Sequence, residues 1–179
     1  DLQEIRSDLE ERFPLWADRI RLLRSFGIGP VYTFYFNNET RNMPWQDFFR
    51  RLLEEFSAAG IVCGEDFRFG HRGSGTAHAL WEYCNRENLP CTIVPDQILD
   101  GVRISSTYIR RQIEEGDMAT AVRYLGHGHM LTGTVVTGRK LGHKLGFPTA
   151  NIELPEGVIV PRHGVYACRA FAGDQSYMA

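Results

Sequence analysis

The sequence has no run approaching the ~20 consecutive apolar residues that a membrane-spanning helix requires, although its hydrophobic share is an ordinary 43%. That excludes a bundle of membrane helices. It has no excess of either charge sign, since 20 Lys+Arg stand against 22 Asp+Glu for a formal net charge of -2. A general nucleic-acid binder would be markedly basic. Cysteine is scarce: Cys63, Cys84, Cys91 and Cys168, with no Cys-x-x-Cys pair. Each lies in an apolar or strand-like stretch and reads as a reduced, buried thiol of a cytoplasmic protein. No charged-then-apolar leader opens the chain, so secretion is not indicated. Neither a collagen repeat nor a disordered composition is present. At 179 residues the chain can bury a core without staples.

What is present alternates between helix and strand over the first three-quarters. Leu15, Ile20, Leu22, Leu23 and Phe26 form a helical stripe that stops at Gly27. Residues 31–36 (VYTFYF) are β-branched and aromatic and predict a strand. Pro44 suits the first turn of a helix carrying Phe48, Phe49, Leu52, Leu53 and Phe56 on one face and ending at Gly60. Residues 61–63 predict a short buried strand, 76–86 a helix and 91–94 a strand. This repetition is the sign of a mostly parallel sheet with helices on its faces. Two short helices follow, one from near Ser105 to Gly116 and one capped by Asp117 and ending at Gly126. Beyond Gly126 the helical period is gone. Residues 130–137 and 164–171 predict strands, so a domain boundary is placed at residues 125–129. Met118 and Met130 read as gap-fillers, and His127-Gly128-His129 as a joint rather than a metal site.

Three segments carry candidate chemistry. Between Gly126 and Asn151 there is not one Asp or Glu. Within that stretch Gly138, Gly142 and Gly146 recur at every fourth residue beside Arg139, Lys140 and Lys144. Glycines let backbone N–H groups approach an anion, and the cations favour negative charge. Pro148 stiffens the exit, and Thr149 and Asn151 offer hard oxygen donors suited to Mg²⁺ carried on phosphates. A basic hairpin loop whose glycines only make turns fits the same residues. No Ser or Thr follows Lys144, so this is not the common P-loop. The segment RISSTYIRR (residues 103–111) opens a helix with Ser105, Ser106 and Thr107 between Arg103 and the pair Arg110 and Arg111. Hydroxyls and arginines at a helix N-terminus suit a polyphosphate, while an ordinary cap with arginines in solvent is the alternative. The segment GEDFRFG (residues 64–70) follows a strand, where α/β sheets place ligand loops. Asp66 could accept from a ribose or ring. Phe67 and Phe69 could stack on a ligand or pin the loop, with packing favoured. Arg68 could pair with phosphate or with Glu65.

In this order, GEDFRFG, ISSTYIR (residues 104–110) and GRKLGHKLGFPTANI (residues 138–152) resemble the signatures of the prokaryotic bifunctional riboflavin kinase/FMN adenylyltransferase (FAD synthetase) family. The LGFPTAN run is specific to riboflavin kinases. The resemblance covers nearly the whole chain, thinning before about Asp18. It implies an α/β nucleotidyltransferase-like domain with a Rossmann-like parallel sheet over residues 1–125, followed by part of an antiparallel β-barrel over residues 126–179. It implies two reactions: riboflavin plus ATP gives FMN, and FMN plus ATP gives FAD and pyrophosphate. Asp66, Arg103, Ser106, Thr107 and Arg110 match the family's adenylyltransferase ATP and flavin positions. Gly138, Gly142, Lys144 and Gly146 match its kinase phosphate loop, and Thr149 and Asn151 the pair that holds Mg²⁺ and ATP. The implied partners are riboflavin, FMN and ATP, with neither nucleic acid nor membrane.

The family's H-x-G-H motif and first strand are not found, and its kinase carboxylate base lies further on than Ala179. No residue is therefore assigned to bond making itself. The chain, opening at Asp1 and stopping within a predicted strand, is expected to be the middle of a longer protein and inactive alone in both reactions. Two other readings stay open: a degenerate homologue that binds nucleotide or flavin without catalysis, and a nucleotidyltransferase for another substrate with an unrelated β tail.

Overall fold

The computed structural model describes residues 14–33, 37–138, 146, 149–173 and 175–179. Contacts divide the chain into two compact units: Tyr32–Ile104, and Asp1–Val31 taken together with Ser105–Ala179. Helix α1 (Pro14–Ser25) belongs to the latter. It ends before Gly27, whose φ of +78° suits a residue without a Cβ. Ile20, Leu22 and Leu23 of its stripe are half-buried, whereas Phe26 is exposed and meets the His127 ring edge-on at 6.0 Å.

The unit Tyr32–Ile104 opens on residues 32–33 without regular structure, as has Val31 before them; residues 34–36 of the expected strand lie outside the described residues. A short helix that the sequence did not announce follows, α2 (Asn38–Asn42). Asn37 Oδ1 accepts from the Thr40 N–H at 2.9 Å and Thr40 Oγ1 from the Asn37 N–H at 2.9 Å, a reciprocal cap. Helix α3 (Trp45–Phe56) starts one residue after Pro44, which occupies the cap position rather than the first turn. Its apolar stripe buries Phe49 and half-buries Phe48, Leu52, Leu53 and Phe56.

Strand β1 (Ile61–Gly64) is followed by β2 (Arg68–Phe69), a 3-10 turn (His71–Gly73), β3 (Gly75–Thr76), helix α4 (Ala77–Arg86) and β4 (Cys91–Val94). β1 and β4 pair in parallel, Ile61 opposite Cys91 and Gly64 opposite Val94. This strand–helix–strand unit is the parallel α/β element expected from the periodicity. β1 is not buried on both faces, however: Cys63 is 9% exposed and Val62 71%. Thr76 caps α4 by accepting from the Ala79 N–H at 3.1 Å. Phe49, Cys63, Ala77, Leu80 and Cys84 form the core, with Leu53, Ile61, Phe69, Tyr83, Leu89, Cys91 and Ile93 packed around them. Full burial of a side chain such as Leu80 contributes roughly 1.5–3 kcal/mol. The hairpin of β5 (Ile98–Leu99) and β6 (Val102–Arg103) closes the unit.

In the other unit, α5 (Ser106–Glu115) and α6 (Met118–Leu125) pack together and bury Ile109, Ile113, Ala121 and Tyr124. Both end on a left-handed glycine, Gly116 and Gly126, as the sequence predicts. The change of texture after Gly126 is real. β7 (Thr134–Val136) pairs antiparallel with β8 (Asn151–Glu153), and β9 (Arg169–Ala172) with β10 (Gln175–Met178). β7 and β9 are shorter or later than residues 130–137 and 164–171. Met130, expected to fill a gap, is 39% exposed. The four cysteines are free thiols, but only Cys63 and Cys84 are buried as expected; Cys91 is half-buried and Cys168 exposed. Among the described residues the strands pair only two by two, so the sheets shown are one parallel and four antiparallel pairs.

Candidate functional site

Because β1 and β4 run parallel, the chain leaves both strands at the same edge of the pair. Loops at that edge are where α/β sheets receive ligands. The GEDFRFG segment makes the first of these loops. The Phe67 N–H donates to the Gly64 carbonyl at 3.1 Å, turning the chain and leaving Asp66 exposed. Gly70 holds φ +70° and ψ -173°, and a Cβ there would collide with Trp45. That backbone region is open essentially to glycine alone. Phe69 meets Trp45 edge-on at 5.7 Å and packs on the core, so it is a packing residue. Phe67 stacks on Phe69 at 5.0 Å and stays 40% exposed. Arg68 Nη1 donates to the Gly73 carbonyl at 3.4 Å, and among the described residues it makes no ion pair with Glu65.

Asp66 and Arg103, which the sequence singled out separately, are brought together across 37 residues of chain. Arg103 Nη2 donates to Asp66 Oδ2 at 2.8 Å. A third residue joins them that the sequence reading missed. Asp96, just after β4, takes Arg103 Nε at 2.5 Å and Nη2 at 2.7 Å. Hydrogen bonding to Asp96 is the first cause that holds the Arg103 guanidinium above its ordinary value. The signal available was positional: Asp96 follows a predicted strand, as Asp66 does.

Ser105 caps α5, its Oγ accepting from the Tyr108 N–H at 3.3 Å. Ser106 and Thr107 then occupy the first two helical positions, exposed, with Arg110 exposed one turn on. Arg111 instead leans over the Tyr108 ring, 5.4 Å from its centroid, and lies 3.9 Å from Glu115. The division into units falls inside RISSTYIRR, between Ile104 and Ser105.

Of the basic loop, Arg139, Lys140, Gly142, Lys144 and Pro148 lie outside the described residues. Gly138 and Asn151 are brought together, because the β7–β8 register sets Val136 opposite Asn151. A Cβ on Gly138 would collide with the Asn151 side-chain amide. Gly146 holds φ +81°, and Thr149 and Asn151 are exposed. A hydroxyl and an amide oxygen two residues apart fit a hard cation that arrives on phosphates. Among the described residues no group of three or more His, Cys, Asp and Glu could hold a metal by itself. His127 Nδ1 lies 2.8 Å from the Gly128 carbonyl and His129 Nε2 2.8 Å from the Ile159 carbonyl, so both are tied to backbone.

Two family models match the chain: FAD synthetase over residues 6–108 and riboflavin kinase over residues 125–179. Among curated relatives, the bifunctional riboflavin kinase/FMN adenylyltransferase of Listeria monocytogenes is 32% identical over 99% of this chain and 56% of its own length. The enzymes of the same name from Bacillus subtilis and Escherichia coli K12 are 31% and 33% identical, over 89% and 84% of this chain and 50% and 48% of theirs. A solved structure described as a macrolide-efflux protein from Streptococcus pneumoniae matches 90% of this chain and 52% of its own, with TM-score 0.79 and 32% identity. The chain thus spans about half the length of the curated relatives it matches. With the FAD synthetase model matching more than half of its residues, this chain belongs to the FAD synthetase family.

Proposed function

We propose that this protein serves FAD biosynthesis through two ATP-dependent transfers. One phosphorylates riboflavin to FMN; the other adenylylates FMN to FAD and releases pyrophosphate. The observation that carries this reading is the succession of both family matches on one chain, residues 6–108 and then 125–179. The efflux description of the similar S. pneumoniae structure is set aside because relatives matched over most of the chain share the flavin name.

In this reading the domain boundary falls at residues 125–129. The antiparallel pairs β7–β8 and β9–β10 belong to a kinase β-barrel, and the parallel pair β1–β4 to a Rossmann-like sheet. Asp66, Arg103, Ser106, Thr107 and Arg110 serve the adenylyltransferase. Gly138, Gly142, Lys144 and Gly146 cover phosphates in the kinase, and Thr149 and Asn151 hold Mg²⁺ through a hydroxyl and an amide oxygen. Both transfers need positioning and charge neutralisation more than covalent chemistry, which these residue types supply.

The test is incubation of the full-length protein with riboflavin, ATP and Mg²⁺, with flavins separated by chromatography. FMN should form first and FAD follow. Tight flavin binding with no turnover would instead identify a non-catalytic homologue.

A further inference from the structure

The two loops at the open edge of β1 and β4 are sewn together. The Glu65 N–H donates to the Val94 carbonyl at 3.0 Å, and Glu65 Oε2 accepts from the Asp96 N–H at 3.0 Å. Arg103 adds a second stitch from β6. Asp96 takes it with both carboxylate oxygens, at 2.5 Å from Nε and 2.7 Å from Nη2, while Asp66 takes Nη2 alone at 2.8 Å. A two-pronged guanidinium–carboxylate pair fixes the plane of the guanidinium, which a single contact does not. Arg103 and Asp66 are 47% and 71% exposed, so the contacts are screened and their use is geometric rather than stabilising. One guanidinium between two carboxylates leaves the cluster net negative. In this arrangement Arg103 is a poor landing place for phosphate and a good orienting group for Asp66.

We propose that Asp96 is a positioning residue for adenylyl transfer: it holds Arg103 by both prongs, and Arg103 in turn aims the Asp66 carboxylate as an acceptor for a substrate hydroxyl or ring N–H. Arg103 then acts through Asp66 and not on the triphosphate. This rests on the adenylyltransferase reading above.

The experiment measures FAD formation from FMN and ATP by the full-length protein and by Asp96→Asn, Arg103→Lys and the double variant. The riboflavin kinase rate of each preparation serves as the internal control for folding. Asp96→Asn should lower kcat/KM for FAD formation about tenfold, mainly through KM, and the double variant should be no worse than the poorer single variant. Asp96→Glu should restore part of the loss, and kinase rates should not move. Additive losses, an unchanged Asp96→Asn, or an equal fall in kinase rate would each overturn the inference. So would tighter ATP binding in Asp96→Asn, which would mean that Asp96 competes with phosphate for Arg103. A wild-type protein that makes no FAD defeats the functional reading and this inference with it; an active wild type beside an indifferent variant defeats the inference alone.

Discussion

Cys84 shows how burial, helped by neighbouring thiols, makes a residue report on the fold. Its side chain lies in the core between α4 and the parallel strands. Burial, then the charge and hydrogen bond of Cys91 and the charge of Cys63, push its thiol up to about 11. Unfolding returns it to 9.0, so the unfolded chain releases a proton that the folded chain keeps. Its contribution is therefore complete below pH 9 and is lost as pH rises toward 11. Denaturant melts of wild type and Cys84→Ala across pH 8–11 should differ in slope, with the variant flatter. Identical slopes would show that Cys84 does not titrate with unfolding.

Helix ends supply the predictions at the next scale. Gly116 and Gly126 end α5 and α6 in the same left-handed conformation, φ +84° and +75°. An alanine at either pays the left-handed penalty, roughly 1–2 kcal/mol. Only Gly116 is also crowded: a Cβ there would meet Tyr166 Oη at 2.8 Å and Arg162 Cβ at 3.2 Å, whereas nothing lies within 4 Å of one on Gly126. Tyr166 is held in place by donating to the Arg162 carbonyl at 2.5 Å. Gly116→Ala should thus cost more stability than Gly126→Ala, and Tyr166→Phe in the Gly116→Ala background should return part of the excess. At the start of α6, the Thr120 N–H and then its hydroxyl hold the Asp117 carboxyl below its ordinary 3.8. That contribution is present above 3.8 and lost as pH falls through the lowered value. Asp117→Asn keeps an acceptor without the titration, so its melting temperature should fall less steeply than wild type's between pH 5 and 2.

For the molecule as a whole, the prediction is that the two transfers fail separately. Arg110→Ala should lower FAD formation about 10²–10³-fold, the usual effect of losing one charge-stabilising group, and leave FMN formation intact. Asn151→Ala should stop FMN formation while FAD is still made from supplied FMN. If each variant blocks both steps equally, the assignment of separate sites is wrong.

Local chemistry made much of this legible beforehand. The helix boundaries at Ser105, Gly116, Asp117 and Gly126 were readable because caps depend on neighbours three or four residues away. The loss of helical period after Gly126 was readable because hydrophobic period is a local property. The three motif segments pointed to the family before any geometry was known. The short helix α2 was not readable, since its reciprocal cap joins Asn37 to Thr40 across only three residues, and Asn37-Asn38 suits a turn equally well. The exposure of Val62 was not, since a β-branched run looks the same whether one face is covered or two. Only the tertiary structure decided what Arg103 touches. Asp66 and Asp96 meet it because the parallel register of β1 and β4 brings two distant loops to one edge, and a carboxylate 30 residues from its neighbour in the chain carries no mark of that meeting.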